Sequence, residues 1–322
     1  MASNRFVLVL GGTGFIGSRI PADLVSTEWR VTVATRRADH ARHLLPLPSI
    51  EDIEEADVHD DAALDRLVQG QDAVINLVGI LHGKRGPAGS RYGPAFARAH
   101  VDLPRRVAAA CARHGVRRLL HMSALGASAN APSMYFRSKH DGELAAQSQP
   151  AVAATIFRPS VVFGPEDHLL NLFARLQRWL PVMLIGRPDA RFQPVYVDDV
   201  ARAFVRALEE PRSAGRIYEL GGPRICTLRE LVQMAGRYSG HPRPVIGLPD
   251  ALAWLQALLM EWLPGGPLMS RDNLASLRVD TVTAATLREQ FGIEPTPIEA
   301  VAPRYLRPLK ATPRLPDMSQ PA

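Results

Sequence analysis

The stretch Phe6-Val7-Leu8-Val9-Leu10-Gly11-Gly12-Thr13-Gly14-Phe15-Ile16-Gly17 decides the fold. Five apolar residues, the length of a short buried strand, run directly into glycines at positions 11, 14 and 17. A strand-to-helix turn of this spacing needs residues without a Cβ, so that the backbone can turn tightly, approach a pyrophosphate and seat the next helix on the sheet. The unpaired N–H groups at the start of that helix then face the anion. An ordinary glycine-rich turn is the competing reading. The placement after an N-terminal strand, opening a β-α-β unit, argues against it. Pro21 fits less well: it falls about two turns into the expected helix, where it removes a hydrogen bond at roughly 3 kcal/mol, so a kink is expected there.

Outward from the loop, short apolar runs alternate with amphipathic stretches. Strands are expected at Phe6–Leu10, Arg30–Ala34, Ile50–Ala56, Ala73–Leu77, Arg118–Met122 and Ala153–Phe157, with helices such as Asp61–Gln69 and Phe96–His114 between them. This alternation predicts an α/β protein: a Rossmann-type doubly wound parallel sheet with a smaller, mostly helical C-terminal part. The division expected is 1–165 for the nucleotide-binding domain, with 192–212 returning to pack on it, and 166–306 for a substrate or partner part. A proline-rich tail over 307–322 is read as disordered. Past Pro159 the pattern gives a helix at Asp198–Glu210, a strand at Ile217–Leu220, a helix at Thr227–Ser239, and an apolar helix that stops before Pro264-Gly265-Gly266.

Composition narrows the function classes. The chain has 322 residues, 46% hydrophobic and 22% charged, which excludes a disordered, collagen-like or coiled-coil protein. Cys111 and Cys226 are too few for a disulfide framework and read as reduced thiols. No apolar run reaches the length of a membrane span, and Phe6–Leu10 is too short for a signal peptide. A formal net charge of +6 suits solubility and an anionic ligand better than a nucleic-acid surface. The ten histidines form no HExxH or tight Cys/His cluster, so no metal site is expected.

Two pairs of residues carry the chemistry. The second strand ends Thr35-Arg36-Arg37, with no carboxylate before Asp39. An acidic residue here would hold the ribose 2′-hydroxyl of NAD, whereas two guanidiniums suit the 2′-phosphate of NADP(H), which is therefore favoured over NAD(H). Solvated charges at a strand end are the alternative. At Tyr135-Phe136-Arg137-Ser138-Lys139, a phenol and an ammonium stand four apart on one helix face. A nearby cation stabilises phenolate and lowers the phenol pKa, which makes such a pair a general acid/base beside a nicotinamide. The lysines of the chain are only Lys84, Lys139 and Lys310 against a large excess of arginine, so a lysine at this position points to a need for a compact ammonium. The competing reading is a half-buried tyrosine with a solvated lysine.

Together the glycine loop, Tyr135 with Lys139, and Arg158-Pro159 resemble the extended and atypical short-chain dehydrogenase/reductases of the NAD-dependent epimerase/dehydratase superfamily. The runs FRPSVVFGPEDHLLNLFARL from Phe157, QPVYVDDVARAF from Gln193, HMSALGA from His121 and LMSRDNL from Leu268 look most like the subgroup holding the nucleotide-binding accessory subunit of respiratory complex I and its bacterial relatives. The resemblance covers residues 5–307. It implies that Gly11, Thr13, Gly14, Phe15, Ile16 and Gly17 surround the pyrophosphate, that Asp57 and Val58 flank the adenine, and that Leu77, Val78 and Gly79 border its ribose. Lys139 would hold the nicotinamide ribose and Pro159 would lie by the nicotinamide. There are two departures. The position near Leu125, where active members carry a serine or threonine for the substrate, is aliphatic, which leaves Ser123 as the substitute. His100 stands where many members carry a structural asparagine.

Of the remaining candidates, Glu166-Asp167-His168 reads as a helix cap rather than a catalytic cluster. Asp198 and Asp199 favour a helix dipole. The apolar helix from Ala251 to Leu263, with Trp254 and Trp262, reads as core, with a membrane-surface or partner-docking role as the alternative. The function expected is an NADP(H)-binding reductase acting on a carbonyl or quinone-like substrate, with Tyr135, Lys139 and Ser123 as catalytic residues. The alternative is a non-catalytic nucleotide-holding subunit or assembly factor for a respiratory complex or quinone pathway. A nucleotide-sugar epimerase or dehydratase is the less favoured third. Expected partners are the dinucleotide, a small-molecule substrate and a respiratory-complex or membrane-surface partner, with no nucleic acid. The expected location is the cytoplasm or the cytoplasmic face of the inner membrane.

Overall fold

The computed structural model describes residues 5–87, 89–262 and 269–307. Strand β1 (Arg5–Leu10) sends Val7 and Val9 to one face and Leu8 and Leu10 to the other, and all four are fully buried. A strand apolar on both faces belongs at the centre of a sheet covered on both sides. After the glycine loop come α1 (Ile20–Leu24), β2 (Trp29–Thr35), β3 (Ile50–Glu55), α2 (Asp61–Val68) and β4 (Ala73–Asn76). A helical stretch follows in three pieces: α3 (Pro94–Phe96), a π-helical turn over Ala97–Asp102, and α4 (Leu103–Arg113). Then come β5 (Arg118–Met122), α5 (Met134–Ala146), β6 (Ala153–Pro159) and β7 (Val162–Phe163). The rest comprises α6 (Leu169–Trp179), β8 (Met183–Gly186), β9 (Arg191–Phe192), β10 (Val195–Tyr196), α7 (Val197–Glu209), β11 (Ile217–Leu220), β12 (Cys226–Thr227) and α8 (Leu228–Tyr238). It ends with β13 (Val245–Leu248), α9 (Asp250–Met260), α10 (Arg271–Ser276), α11 (Leu287–Phe291) and α12 (Ile298–Leu306).

Seven parallel strands form the main sheet in the order β11-β6-β5-β4-β1-β2-β3. The winding reverses between β1 and β4, which opens a crevice at their carboxyl ends where such sheets bind ligands. On one face α1, α7 and α11 pack Ile20, Leu24, Phe204, Leu208 and Leu287 against Val7, Val9, Val31, Val33 and Ile75. On the other, α2, α4 and α5 place Leu64, Leu67, Val107, Cys111 and Ala146 against Leu8, Leu10, Val74 and Ile156. Each fully buried Leu, Ile, Val or Phe is worth roughly 1.5–3 kcal/mol of transfer free energy, so these two faces supply much of the driving force for folding. Edge strand β3 exposes Glu51, Asp52, Glu54 and Glu55, charges that discourage pairing with another chain. Beyond the sheet, α6, α8 and α12 enclose a separate apolar cluster around Phe163, Leu170, Leu231, Ala235 and Ile298.

Two expectations need correction, and the helix cap expected at Glu166-Asp167-His168 is present. Pro21 does not kink a helix: Gly11 to Arg19 form a run of turns, and α1 starts only at Ile20, so Pro21 falls in its first turn, where a missing N–H costs nothing. As expected, Asp167 caps α6, accepting from the N–H groups of Leu170 (2.6 Å) and Asn171 (3.3 Å), and it also accepts from the Tyr305 hydroxyl. The apolar helix α9 is not core. It buries only Ala253 and Ala257 and leaves Trp254 47% and Leu259 63% exposed, with Trp262 just beyond it 82% exposed. Its periodicity gave no warning because its outer face is apolar as well. Among the described residues no helix is long and apolar enough to cross a membrane. Leu268, the stop at Pro264-Gly265-Gly266 and the tail beyond Arg307 lie outside the described residues.

Candidate functional site

The crevice at the β1/β4 reversal is built from backbone. Gly11 has φ +80°, a conformation that L side chains rarely adopt, and a Cβ there would stand 3.2 Å from the Leu77 carbonyl carbon. A Cβ on Gly17 would overlap the Gly11 carbonyl oxygen. These two glycines let the loop fold onto itself and onto the end of β4. Gly14 is exposed, so the face of the loop turned outward is bare backbone. Gly14 and Ser18 use their N–H groups within the loop, whereas those of Phe15 and Ile16 donate to no carbonyl among the described residues. A bare, donor-rich concavity at a helix entrance fits a pyrophosphate.

Arg36 and Arg37 stand exposed at the end of β2, and neither forms an ion pair among the described residues. The nearest carboxylate in sequence, Asp39, is turned onto Arg42 at 2.9 Å, and Glu55 of β3 accepts from the Ala38 N–H at 2.9 Å, so neither carboxylate pairs with these arginines. At the end of β3, Asp57 is exposed, accepts from the His59 N–H at 3.0 Å and lies 3.8 Å from Arg98, while Val58 is buried beside it. Leu77 and Val78 are half-buried on the other wall, where the Asn76 carboxamide oxygen accepts from the Val78 N–H at 3.1 Å. The residues present therefore fit a dinucleotide laid across the sheet edge.

Lys139 Nζ, buried on α5, donates to the Met122 carbonyl at 2.9 Å, and a Cβ on Gly79 would stand 3.4 Å from it. This brings the ends of β4 and β5 together with the face of α5. One turn earlier Tyr135 packs edge-on to His100 and Phe96, with Phe136, Ala124 and Val279 around it. The expected lowering of the phenol pKa by Lys139 is reversed here. Burial pushes Tyr135 up to about 12 with no charge or hydrogen bond among the causes, while the Lys139 ammonium donates to the Met122 carbonyl. Desolvation pulls Lys139 down to about 8, partly offset by Glu143.

His100 fixes the surroundings of this pair. Its Nε2 accepts from the Ile80 N–H at 3.0 Å, so the remaining proton sits on Nδ1, which donates to Ser138 Oγ at 2.8 Å. Ser138 in turn donates to the Tyr135 carbonyl at 2.7 Å. Burial, helped by the Lys139 charge, pulls His100 down to about 2, which keeps it neutral. His121 is likewise neutral, pulled down to about 3 by burial and Lys139.

The Ser123 hydroxyl is already committed. Ser123 is 2% exposed and donates to Glu143, which is two helical turns beyond Tyr135 on α5. Arg158 grips the same carboxylate with Nε at 2.8 Å and Nη2 at 2.6 Å. Leu125 is buried, its N–H donating to the Pro159 carbonyl at 2.9 Å, so the serine position of related enzymes offers no hydroxyl here. Glu143 was not among the residues expected from sequence, although the spacing Tyr135, Lys139, Glu143 places all three on one helix face. Asp272, whose carboxylate accepts from the N–H groups of Met134 at 2.6 Å and Tyr135 at 3.0 Å, had no local signal at all.

Comparison with known proteins agrees with this architecture. Residues 7–221 match the NAD dependent epimerase/dehydratase family. The chain is 31% identical to NADH dehydrogenase [ubiquinone] 1 alpha subcomplex subunit 9, mitochondrial, of Arabidopsis thaliana, over 86% of this chain and 70% of that protein. It is 30% identical to ceramide reductase of Caulobacter vibrioides, over 76% of this chain and 74% of that protein. Its fold matches a Streptomyces venezuelae dTDP-glucose 4,6-dehydratase with NAD bound, TM-score 0.71 at 20% identity, covering 93% of this chain and 95% of the other.

Proposed function

Because the chain belongs to the NAD dependent epimerase/dehydratase family, for which an NAD(P) dinucleotide is the implied cofactor, we propose that it binds NADP(H) and reduces an apolar carbonyl or quinone-like substrate. The observation that carries this reading is the half-buried Tyr135 phenol one helical turn from Lys139, whose ammonium stands beside Gly79. Gly11, Thr13, Gly14, Phe15, Ile16 and Gly17 would hold the pyrophosphate, Arg36 and Arg37 the 2′-phosphate, Asp57, Val58, Leu77, Val78 and Gly79 the adenosine, and Lys139 and Pro159 the nicotinamide end.

When bound, the dihydronicotinamide supplies a hydride. Tyr135, kept protonated by burial, is an acid and not a base at neutral pH, which suits the reductive direction: its O–H proton goes to the carbonyl oxygen as the carbon is reduced. Lys139 would act at the nicotinamide end and not on the phenol, its ammonium standing beside Gly79 and donating to the Met122 carbonyl. Phe96, Phe136 and Val279 pack around the phenol ring, which stays partly exposed. With Ser123 occupied by Glu143 and Leu125 aliphatic, the substrate oxygen would rest on Tyr135 alone.

That missing hydroxyl favours a second reading, in which the nucleotide is held and does not turn over, and the protein serves as a subunit or assembly factor of a respiratory complex. One experiment separates the two. Protein purified without added nucleotide is denatured, the released ligand is identified by mass spectrometry, and NADPH and NADH are titrated into the emptied protein before carbonyl and quinone panels are added. Exchangeable NADPH oxidised by a panel member, with loss of turnover in Tyr135→Phe, is the expected result. Tight NADPH that resists every panel transfers the weight to the second reading, and no binding of either nucleotide overturns both.

A further inference from the structure

The segment after α9 is tied to the candidate site at three separate points. Asp272, on α10, takes the N–H groups of Met134 and Tyr135 on its two carboxylate oxygens, at the first turn of α5. Val279 packs into the apolar cluster of Tyr135, Phe136, Ala124 and Ala131. The Ser160 hydroxyl, next to Pro159, donates to the Thr281 carbonyl at 2.7 Å and lies 3.1 Å from the Thr281 hydroxyl, and both residues are buried. The segment thus spans from the tyrosine to the proposed nicotinamide end.

Asp272 itself is held in place. Ser270 and Asn273 form a reciprocal cap on α10, with the Asn273 N–H donating to Ser270 Oγ at 3.1 Å and the Ser270 N–H donating to Asn273 Oδ1 at 3.0 Å. Arg271 pairs with Glu261 at 2.8 Å. A carboxylate accepting two N–H bonds at a helix N-terminus gains from both the hydrogen bonds and the dipole. Ser133 Oγ, the cap belonging to α5 itself, serves only the Phe136 N–H. The two N–H groups that position the tyrosine backbone are therefore satisfied by a residue from the far end of the chain.

We infer that Asp272 is a positioning residue for Tyr135: the strap from Ser270 to Thr281 docks through this carboxylate and sets the phenol, so that the acid group is assembled only when the strap is seated. The inference rests on Tyr135 as the proton donor, but its test does not need turnover. In protein carrying ring-labelled tyrosine, the Tyr135 resonances, assigned with Tyr135→Phe, report the ring currents of His100, Phe96 and Phe136. Asp272→Ala is expected to collapse that dispersion and to speed hydrogen exchange of the Met134 and Tyr135 amides by at least about 10-fold. Asp272→Asn, which keeps one acceptor, should fall between Asp272→Ala and the native protein. Unchanged Tyr135 resonances and amide exchange in a folded Asp272→Ala protein overturn the inference. Should Asp272→Ala fail to fold, Asp272→Asn takes its place, and unchanged Tyr135 resonances and amide exchange in folded Asp272→Asn protein overturn the inference equally. Undiminished carbonyl reduction by Tyr135→Phe would instead overturn the acid–base reading and leave the tie between Asp272 and α5 standing.

Discussion

The Nδ1 of His100 lies 2.8 Å from Ser138 Oγ, and this bond joins the π-helical turn to α5 between Tyr135 and Lys139. The other ring nitrogen receives the Ile80 N–H, so one neutral imidazole connects three elements around the site. Its consequences separate by substitution. His100→Gln is expected to keep an acceptor near Nε2 and lose the Ser138 bond, and His100→Asn to do the reverse. His100→Ala loses both and should destabilise the fold by about 1–3 kcal/mol through the orphaned N–H and the cavity. Denaturant unfolding measures the loss, and ¹⁵N shifts of the ring should show Nε2 unprotonated down to pH 4 in the native protein.

Lys139 gives a pH dependence of defined sign. Its folded-state pKa, about 8, is below the ordinary lysine value of 10.5, so between these limits the unfolded chain binds more protons than the nucleotide-free native state. Stability then rises with pH across that window, and the contribution is lost as pH falls through 8. Tyr135 acts in a separate window: its raised pKa makes stability fall as pH passes from 10 toward 12. Lys139→Met should flatten the rise between pH 8 and 10 in chemical unfolding. An identical slope in the variant would falsify the assignment of this window to Lys139.

Arg36→Ala and Arg37→Ala are each expected to weaken NADPH binding about 10-fold or more, the worth of one charge-assisted hydrogen bond, and to leave NADH unchanged. Titration of both nucleotides at two salt concentrations reads this directly. An equal loss for NADH would show that these arginines do not select the 2′-phosphate.

Glu143→Gln should destabilise the protein by about 3 kcal/mol, because Arg158 and the Ser123 hydroxyl then face a neutral group inside the fold. The half-solvated Arg158 guanidinium keeps this at the lower end for a broken buried pair. The double variant Glu143→Gln with Arg158→Met should recover part of the loss, and a thermal melt in which it recovers none would count against the pairing.

What the sequence determined by itself is what neighbouring residues can carry. The glycine spacing after Leu10 and the four-residue step from Tyr135 to Lys139 each lie within a single turn or helix face, so strand and helix geometry alone predicts the loop, the parallel sheet and the pairing on α5. Periodicity reports one element at a time, and there its reach ended. Whether the outer face of α9 is covered, whether Ser123 meets a substrate or Glu143, and which group caps the tyrosine turn all depend on residues far along the chain. So does the protonation of Tyr135: with the cation four residues away donating to the Met122 carbonyl, desolvation among Phe96, His100 and Val279 raises the phenol pKa. Burial and electrostatics are sums over space, and only the tertiary structure places the terms.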